Sequence, residues 1–285
     1  MSKLFALRFG ELIKPLRRAP SFFGSAAVMV VVLCLGAVIA LTGNTALIKG
    51  NVDDGDDRAD ACRRTRGPTA ALPTTKLFIE HNSTNADTGV HGAFDGLEWT
   101  KLCVYDPHGR QVLEVEPKRQ LRTQAISGIF FESAEPPNDE VPIADILARF
   151  PAGLYSVRGL TLDGKRITGA ATFTHDIPAA PVITFPLDGA VVSPSSLVVM
   201  WNHVTTTLTG APLNRTGYEV IITKDVPDDP HGFSLPTFDV HVLPSQTSLT
   251  VPTEFLEPGT AYELEVLVLE VSGNQTISII HFETQ

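Results

Sequence analysis

From residue 76 onward the sequence is a succession of short apolar runs that proline, glycine and Asn/Asp residues interrupt. The runs are rich in Val, Ile, Thr and Phe, whose branched or aromatic side chains pack well on a pleated surface. Runs of this kind, bounded by turn residues, are typical of β-strands joined by tight turns. Residues 76–285 are therefore predicted to be all-β.

Near the middle of this region, Pro178 and Pro181 bracket two alanines. This short segment divides the region into two pieces of about 100 residues each, which is the usual size of a β-sandwich domain. We therefore predict two domains, residues 76–178 and residues 179–285. In the first domain, apolar residues three or four positions apart between Ile143 and Phe150 predict one short helix.

Ahead of the domains, a basic segment (residues 1–21) precedes an uncharged apolar run (residues 22–43). A helix over that run is long enough to cross a hydrocarbon core of about 30 Å. The basic flank before the run and the aspartates after it place the N-terminus in the cytoplasm and the domains outside it. We expect a single-pass anchor in the cytoplasmic (inner) membrane. The alternative is a cleaved signal peptide and a secreted protein.

Residues 44–75 are polar and show no apolar period, so they are predicted to form a disordered linker. Cys62 lies in this linker, whereas Cys103 lies in a predicted apolar strand. An oxidising compartment outside the cytoplasm would permit a disulfide between them. Their different settings favour two separate thiols, with a bridge as the alternative.

A recognisable pattern follows in the second domain. Trp201 ends an apolar strand, Tyr218 opens the next, and Leu256-Glu257-Pro258-Gly259-Thr260-Ala261-Tyr262 comes later. Together these residues resemble a fibronectin type III domain over residues 181–285. The resemblance implies that Trp201, Tyr218 and Tyr262 are structural core residues, and that the Tyr262 hydroxyl bonds the backbone of the loop before its strand. The predicted fold is two tandem immunoglobulin/fibronectin III-like β-sandwiches after one N-terminal transmembrane helix.

The first domain has a different resemblance. The stretches that begin at Lys76, Phe130 and Thr174 are similar to an uncharacterised family of bacterial exported proteins. This resemblance implies export and no known activity.

Residues with possible chemistry lie close together at His81, Asp87 and His91. Carboxylate oxygens suit hard cations and imidazoles suit transition metals, but the spacing matches no established metal motif. The chain also contains no nucleophile elbow, HExxH, P-loop or dinucleotide fingerprint. We therefore expect a protein that is not an enzyme, without catalytic residues, resident metal or cofactor.

The sequence favours binding over catalysis as the function. A net charge of −10 without a basic stripe argues against nucleic acid as the partner. Strand alternation places Ile221, Leu267 and Leu269 on one outward face of neighbouring strands, where either the first domain or a partner covers them. The predicted function is that of a membrane-anchored, exported interaction or adhesion protein that binds a protein or glycan in the cell envelope. The alternative is an exported hydrolase or metal-binding protein that uses the His81–His91 loop.

Overall fold

The structure is a computed structural model that describes Cys62, residues 67–225 and residues 237–285. The predicted membrane segment at residues 22–43 and the basic segment before it lie outside the described residues. Within the described ranges, no helix has the length and apolar character that a membrane crossing needs.

The described residues are mostly β, which confirms the predicted all-β class. The first half contains β1 (Thr69–Ala71), β2 (Thr74–Asn82), β3 (Asp87–Tyr105), β4 (Gln111–Val115), α1 (Arg119–Gln124), β5 (Ile126–Glu132), α2 (Ile143–Arg149), β6 (Gly153–Thr161) and β7 (Arg166–Phe173). The second half contains β8 (Ile183–Phe185), β9 (Ala190–Val192), β10 (Val198–Trp201), β11 (Arg215–Lys224), β12 (Thr237–Val242), β13 (Ser248–Thr250), β14 (Ala261–Glu270) and β15 (Gln275–Thr284). Helix α2 occupies the position at which the apolar spacing predicts a helix.

One 12-stranded sheet runs through both halves, in the order β1-β7-β6-β3-β2-β15-β14-β11-β12, and β13-β10-β8 form a second sheet. Three more strands belong to this sheet: β4 and β5 pair with β3, which is 19 residues long, and β9 pairs with β15. The halves meet where β15 pairs in parallel with β2, from Gln275 opposite Glu80 to Ile277 opposite Asn82. Each half nevertheless has its own hydrophobic core. The exact domain boundary after residue 178 stays a prediction.

The core of the second half lies between its two sheets and contains Trp201, Tyr218 and Tyr262. The Tyr262 hydroxyl accepts a hydrogen bond of 2.7 Å from the Glu257 backbone N–H, which is the hydrogen bond of a tyrosine corner. The Tyr218 hydroxyl accepts a similar bond of 2.9 Å from the Val204 N–H. The two tyrosines thus tie irregular backbone to the sheet.

We expect Tyr262→Phe to lower the free energy of unfolding by about 1–3 kcal/mol, because the Glu257 N–H would lose its partner in a partly buried site. Denaturant titration of the purified protein measures the change. A loss below about half a kcal/mol would show that water replaces the hydroxyl without cost.

The predicted linker is ordered in its last part. Residues Thr69–Ala71 form β1, which pairs in parallel with β7, and Leu72 is buried in the core of the first half. A disordered linker up to residue 75 is therefore wrong for these positions. The backbone of this segment forms its hydrogen bonds with β7, almost 100 residues later in the chain. The apolar pattern of the segment itself does not indicate such a distant pairing.

Cys62 and Cys103 form a disulfide, with their Cα atoms 6.2 Å apart. The expectation of two separate thiols is therefore wrong. Cys62 lies against β3, and both cysteines are buried there beside Tyr105. The prediction failed because it rested on the polar residues next to Cys62 in the chain. The Cys62 side chain itself packs against residues that are distant in the sequence.

The junction between the halves is fixed by side chains. Asn274 is fully buried, and its Oδ1 accepts a hydrogen bond of 2.8 Å from the Ile79 N–H of β2. Its Nδ2 donates to Thr174 Oγ1 at 2.9 Å and to the Thr174 carbonyl at 3.2 Å. The Thr276 hydroxyl donates to the Pro178 carbonyl at 2.7 Å. The proline-bracketed segment is thus held in place rather than free to rotate.

We expect Asn274→Ala to cost about 1–3 kcal/mol, since it leaves the Ile79 N–H without a buried acceptor. The chain has two tryptophans, Trp99 in the first core and Trp201 in the second, so single-tryptophan variants report each half separately. In Asn274→Ala the two unfolding transitions should move apart. Exposed Asn202→Ala is the control, with less than about 0.5 kcal/mol expected. If the two halves of Asn274→Ala still unfold together and at the same denaturant concentration as in the unmodified protein, Asn274 does not hold the halves together.

Candidate functional site

A histidine surrounded by carboxylates lies on the face of β2 and β3 that points away from the core. In the β2–β3 register Phe78 is opposite His91 and Glu80 is opposite Gly89. Because side chains alternate along a strand, Glu80 and His91 share this face. Glu135 follows β5 and reaches over Gly89, where an added Cβ would lie only 2.5 Å from Glu135 Oε1. The missing side chain of Gly89 makes room for this carboxylate.

The imidazole of His91 is enclosed. Its Nε2 lies 2.8 Å from Glu135 Oε1, and its Nδ1 lies 3.7 Å from Glu80 Oε2. The rings of Phe78 and Phe130 flank it at centroid distances of 5.4 and 5.8 Å. Its side chain is only 2% exposed. We call Glu80, His91 and Glu135 the His91 cluster; their ligand atoms lie within 4.8 Å of one another.

The structure does not bring the three predicted metal candidates together. His81 lies on the opposite, core-facing side of β2, where its Nδ1 is 3.0 Å from the Asp87 carbonyl and 2.9 Å from Thr88 Oγ1. Asp87 is opposite Asn82, and this pair is the next one after Glu80 and Gly89 on the same face of the two strands. Glu80 and Glu135 were missed in the sequence, because their place beside His91 depends on strand register and on an irregular loop.

The charges of the site act on one another. Burial and the charges of Glu135 and Glu80 raise the pKa of Asp87 to about 6. Burial alone would lower the pKa of His91, but its hydrogen bond to Glu135 and the charges of Glu80, Glu135 and Glu132 outweigh burial and raise it. Burial lowers the pKa of His81. The carboxylates around His91 thus outnumber the one positive charge that a protonated imidazole could supply.

We expect Asp87→Asn to stabilise the protein at pH 8 by about 1 kcal/mol, a figure reduced from the full shift because Asp87 is partly exposed. The raised pKa means that the folded state holds a proton more tightly than the unfolded state. Stability is therefore lost as the pH rises from about 4 to about 6, and the gain in the variant should shrink as the pH falls through that window. Urea titrations at pH 4.5 and pH 8 measure the difference.

Asp163→Asn serves as the control of opposite sign. Hydrogen bonds from Lys165 and Thr161 lower the pKa of Asp163 to about 2, so its removal should destabilise the protein at pH 8. Equal gains for Asp87→Asn at both pH values would contradict electrostatic repulsion at Asp87.

Ile221 and Leu267 are buried and Leu269 is half-buried. They pack with Ile277 and Ile279 of β15 in a small cluster on the outward face of the large sheet. The outward direction expected from strand alternation is thus observed, and the side chains are covered in the structure. A binding role for the three residues stays a prediction.

A more exposed apolar pair lies on the three-stranded sheet. Phe185 of β8 is directly opposite Met200 of β10, and the two are 40% and 41% exposed. Leu187 and Val191, further along the same half, are 66% and 58% exposed. A shallow cavity of about 130 Å³ between Ala179 and Thr206 is smaller than the roughly 300–1,000 Å³ of typical ligand pockets.

No family model and no curated protein matches the chain. Among solved structures, the FN1–FN3 domains of chicken CNTN1 are 16% identical over 76% of this chain and 68% of that chain, with a TM-score of 0.30. The third fibronectin III domain of human KIAA0343 protein is 23% identical over 39% and 86%, with a TM-score of 0.30. A myokine structure is 22% identical over 38% and 97%, with a TM-score of 0.26.

The structural neighbours are fibronectin III domain structures. The tyrosine corner at Tyr262 agrees with the resemblance of residues 181–285 to a fibronectin type III domain.

Proposed function

We propose that the protein is a non-enzymatic interaction protein of the cell envelope, anchored through residues 22–43, that binds a partner protein on its three-stranded sheet. Fibronectin III-like domains are commonly non-catalytic interaction modules, and their function depends on the surface that each one presents. The observation that carries the proposal is the exposed pair Phe185 and Met200.

Phe185 and Met200 are side by side on neighbouring strands, so they form one continuous apolar surface. Burying such surface in a complex is favourable by about 25 cal/mol per Å². Ser248, which lies opposite Met200 on the other neighbouring strand, gives this surface a polar border. An aromatic ring and a flexible thioether inside a polar border are typical of a protein interface.

Export is supported by two features. The first is the basic segment followed by an uncharged apolar run of spanning length. The second is the buried disulfide between Cys62 and Cys103, a bond that persists in oxidising compartments and is rare in the cytosol.

Membrane fractionation with N-terminal sequencing tests the anchor. We expect the intact N-terminus in the membrane fraction, resistant to salt and alkali. A soluble mature protein that begins near Leu41 or Leu47 would show that residues 22–43 belong to a cleaved signal peptide and not to a membrane anchor.

Site-specific crosslinking tests the binding surface. A photoreactive residue at Met200 of the full chain, in intact cells, should give one defined protein adduct that Phe185→Asp abolishes. The same residue at Leu154, which is 60% exposed in the first half, should give no such adduct. Identical adducts from both positions, or no adduct from Met200, would contradict the proposal that this surface binds a protein. If the protein instead binds a glycan and Phe185→Asp abolishes that binding, the partner is a glycan and the proposal of a protein partner is wrong.

A further inference from the structure

We infer that Glu80 and His91 bind a divalent transition-metal ion, which His91 contacts through Nδ1 while Glu135 holds the imidazole ring in position. This site is separate from the proposed protein-binding surface. Its ligands come from β2 and β3, and the orienting carboxylate comes from the loop after β5.

The first step concerns the protons of His91. A carboxylate only accepts hydrogen bonds, so the 2.8 Å contact with Glu135 Oε1 places the proton of a neutral imidazole on Nε2. The lone pair of that neutral imidazole is then on Nδ1, the nitrogen that lies 3.7 Å from Glu80 Oε2. Metal-binding histidines commonly donate their other N–H to a carboxylate in this way, which fixes the tautomer and raises the basicity of the ligand nitrogen.

The second step is the distance between the two ligand atoms. Nδ1 of His91 and Oε2 of Glu80 are 3.7 Å apart, which is too far for a hydrogen bond. A tetrahedral zinc ion has nitrogen and oxygen ligands at about 2.1 Å, which puts neighbouring ligands about 3.4 Å apart. The observed separation is close to the spacing of two ligands of one ion.

The third step is the rigidity of the site. His91 is buried between two phenylalanine rings, so its imidazole is held before an ion arrives. The Gln275 side-chain amide of β15 donates a hydrogen bond to Glu80 and orients that carboxylate. Gly89 leaves the space that Glu135 needs. Ligands that are already ordered lose little conformational entropy on binding.

The fourth step is the choice of ion. An imidazole with carboxylates suits Zn²⁺ or another first-row divalent ion, whereas Ca²⁺ prefers oxygen ligands alone. Asp87 lies on the same face, and its charge acts together with those of Glu80 and Glu135. The surplus of carboxylates attracts a cation, and the imidazole selects a transition metal.

Zinc titration tests the inference. Full-length protein, stripped with EDTA and dialysed, should bind one equivalent of Zn²⁺ in calorimetry, and Co²⁺ should give visible d–d absorption. We expect Glu80→Gln to weaken Zn²⁺ binding at least tenfold. Glu135→Ala should weaken it about 10–100-fold, because it removes the acceptor that orients the imidazole. Melting in EDTA confirms that each variant is folded.

A second acidic group with a histidine, Glu219, Asp239 and His241, supplies the matched control. Asp239→Asn should leave the affinity for Zn²⁺ unchanged. Absence of saturable binding, wild-type affinity in Glu80→Gln, or loss of binding in Asp239→Asn would each overturn the inference. Tight binding of Ca²⁺ in place of Zn²⁺ would remove His91 from the ligand set and overturn it as well.

Discussion

Replacing Trp201 with alanine is expected to lower the free energy of unfolding by about 3–5 kcal/mol. The indole is 2% exposed and packs edge-on against the ring of Tyr218, with centroids 5.4 Å apart. Its removal leaves a cavity between the two sheets of the second half, and strands held by the 12-stranded sheet cannot collapse to fill it. The loss should appear as a lower denaturant midpoint in circular dichroism.

Trp201→Phe is the matched control. The indole Nε1 has no hydrogen-bond partner among the described residues, so phenylalanine removes volume without breaking a hydrogen bond. A smaller loss of about 1–2 kcal/mol is expected. If Trp201→Ala costs less than about half a kcal/mol, Trp201 does not fill the core and the fibronectin-like packing is wrong.

Removal of the disulfide is the second large effect. Replacing Cys62 and Cys103 with serine should cost about 2–4 kcal/mol, because the bridge closes a loop with a sequence separation of 41 and restricts the unfolded chain. Thermal unfolding of the full-length protein measures the difference. Cys34→Ser is the control for loss of a thiol outside the bridge and should leave stability unchanged.

Thiol counting checks the bridge itself. The chain has three cysteines, and alkylation under denaturing, non-reducing conditions should label one of them. Labelling of all three would show that Cys62 and Cys103 remain separate thiols, and the stability loss should then disappear.

The features that were predictable from the sequence are those whose partners lie close together in the chain. The tyrosine corner joins Glu257 and Tyr262, five residues apart, and a motif can therefore indicate it. The pairing of β15 with β2 joins residues 195 positions apart. It depends on the way in which two folded halves meet, and no local pattern carries that information.

The candidate site shows the same limit at the scale of one residue. His81 and Glu80 are neighbours in the sequence, yet they face opposite sides of β2, and a shift of one residue in register exchanges them. The sequence indicated a histidine and carboxylate neighbourhood near residues 81–91. It could not indicate that Glu135, 44 positions from His91, completes the cluster.

The Cys62–Cys103 bridge determines where mechanical tension would enter the protein. A pull on the chain before Cys62 reaches Cys103 in β3 directly through the disulfide, so the route along the backbone through β1 is bypassed. The force then passes from β3 to β2 and on to β15 across pairs of strands whose hydrogen bonds share a shearing load. Reduction of the bridge would move the point of attachment to β1, whose three residues could be peeled away one hydrogen bond at a time.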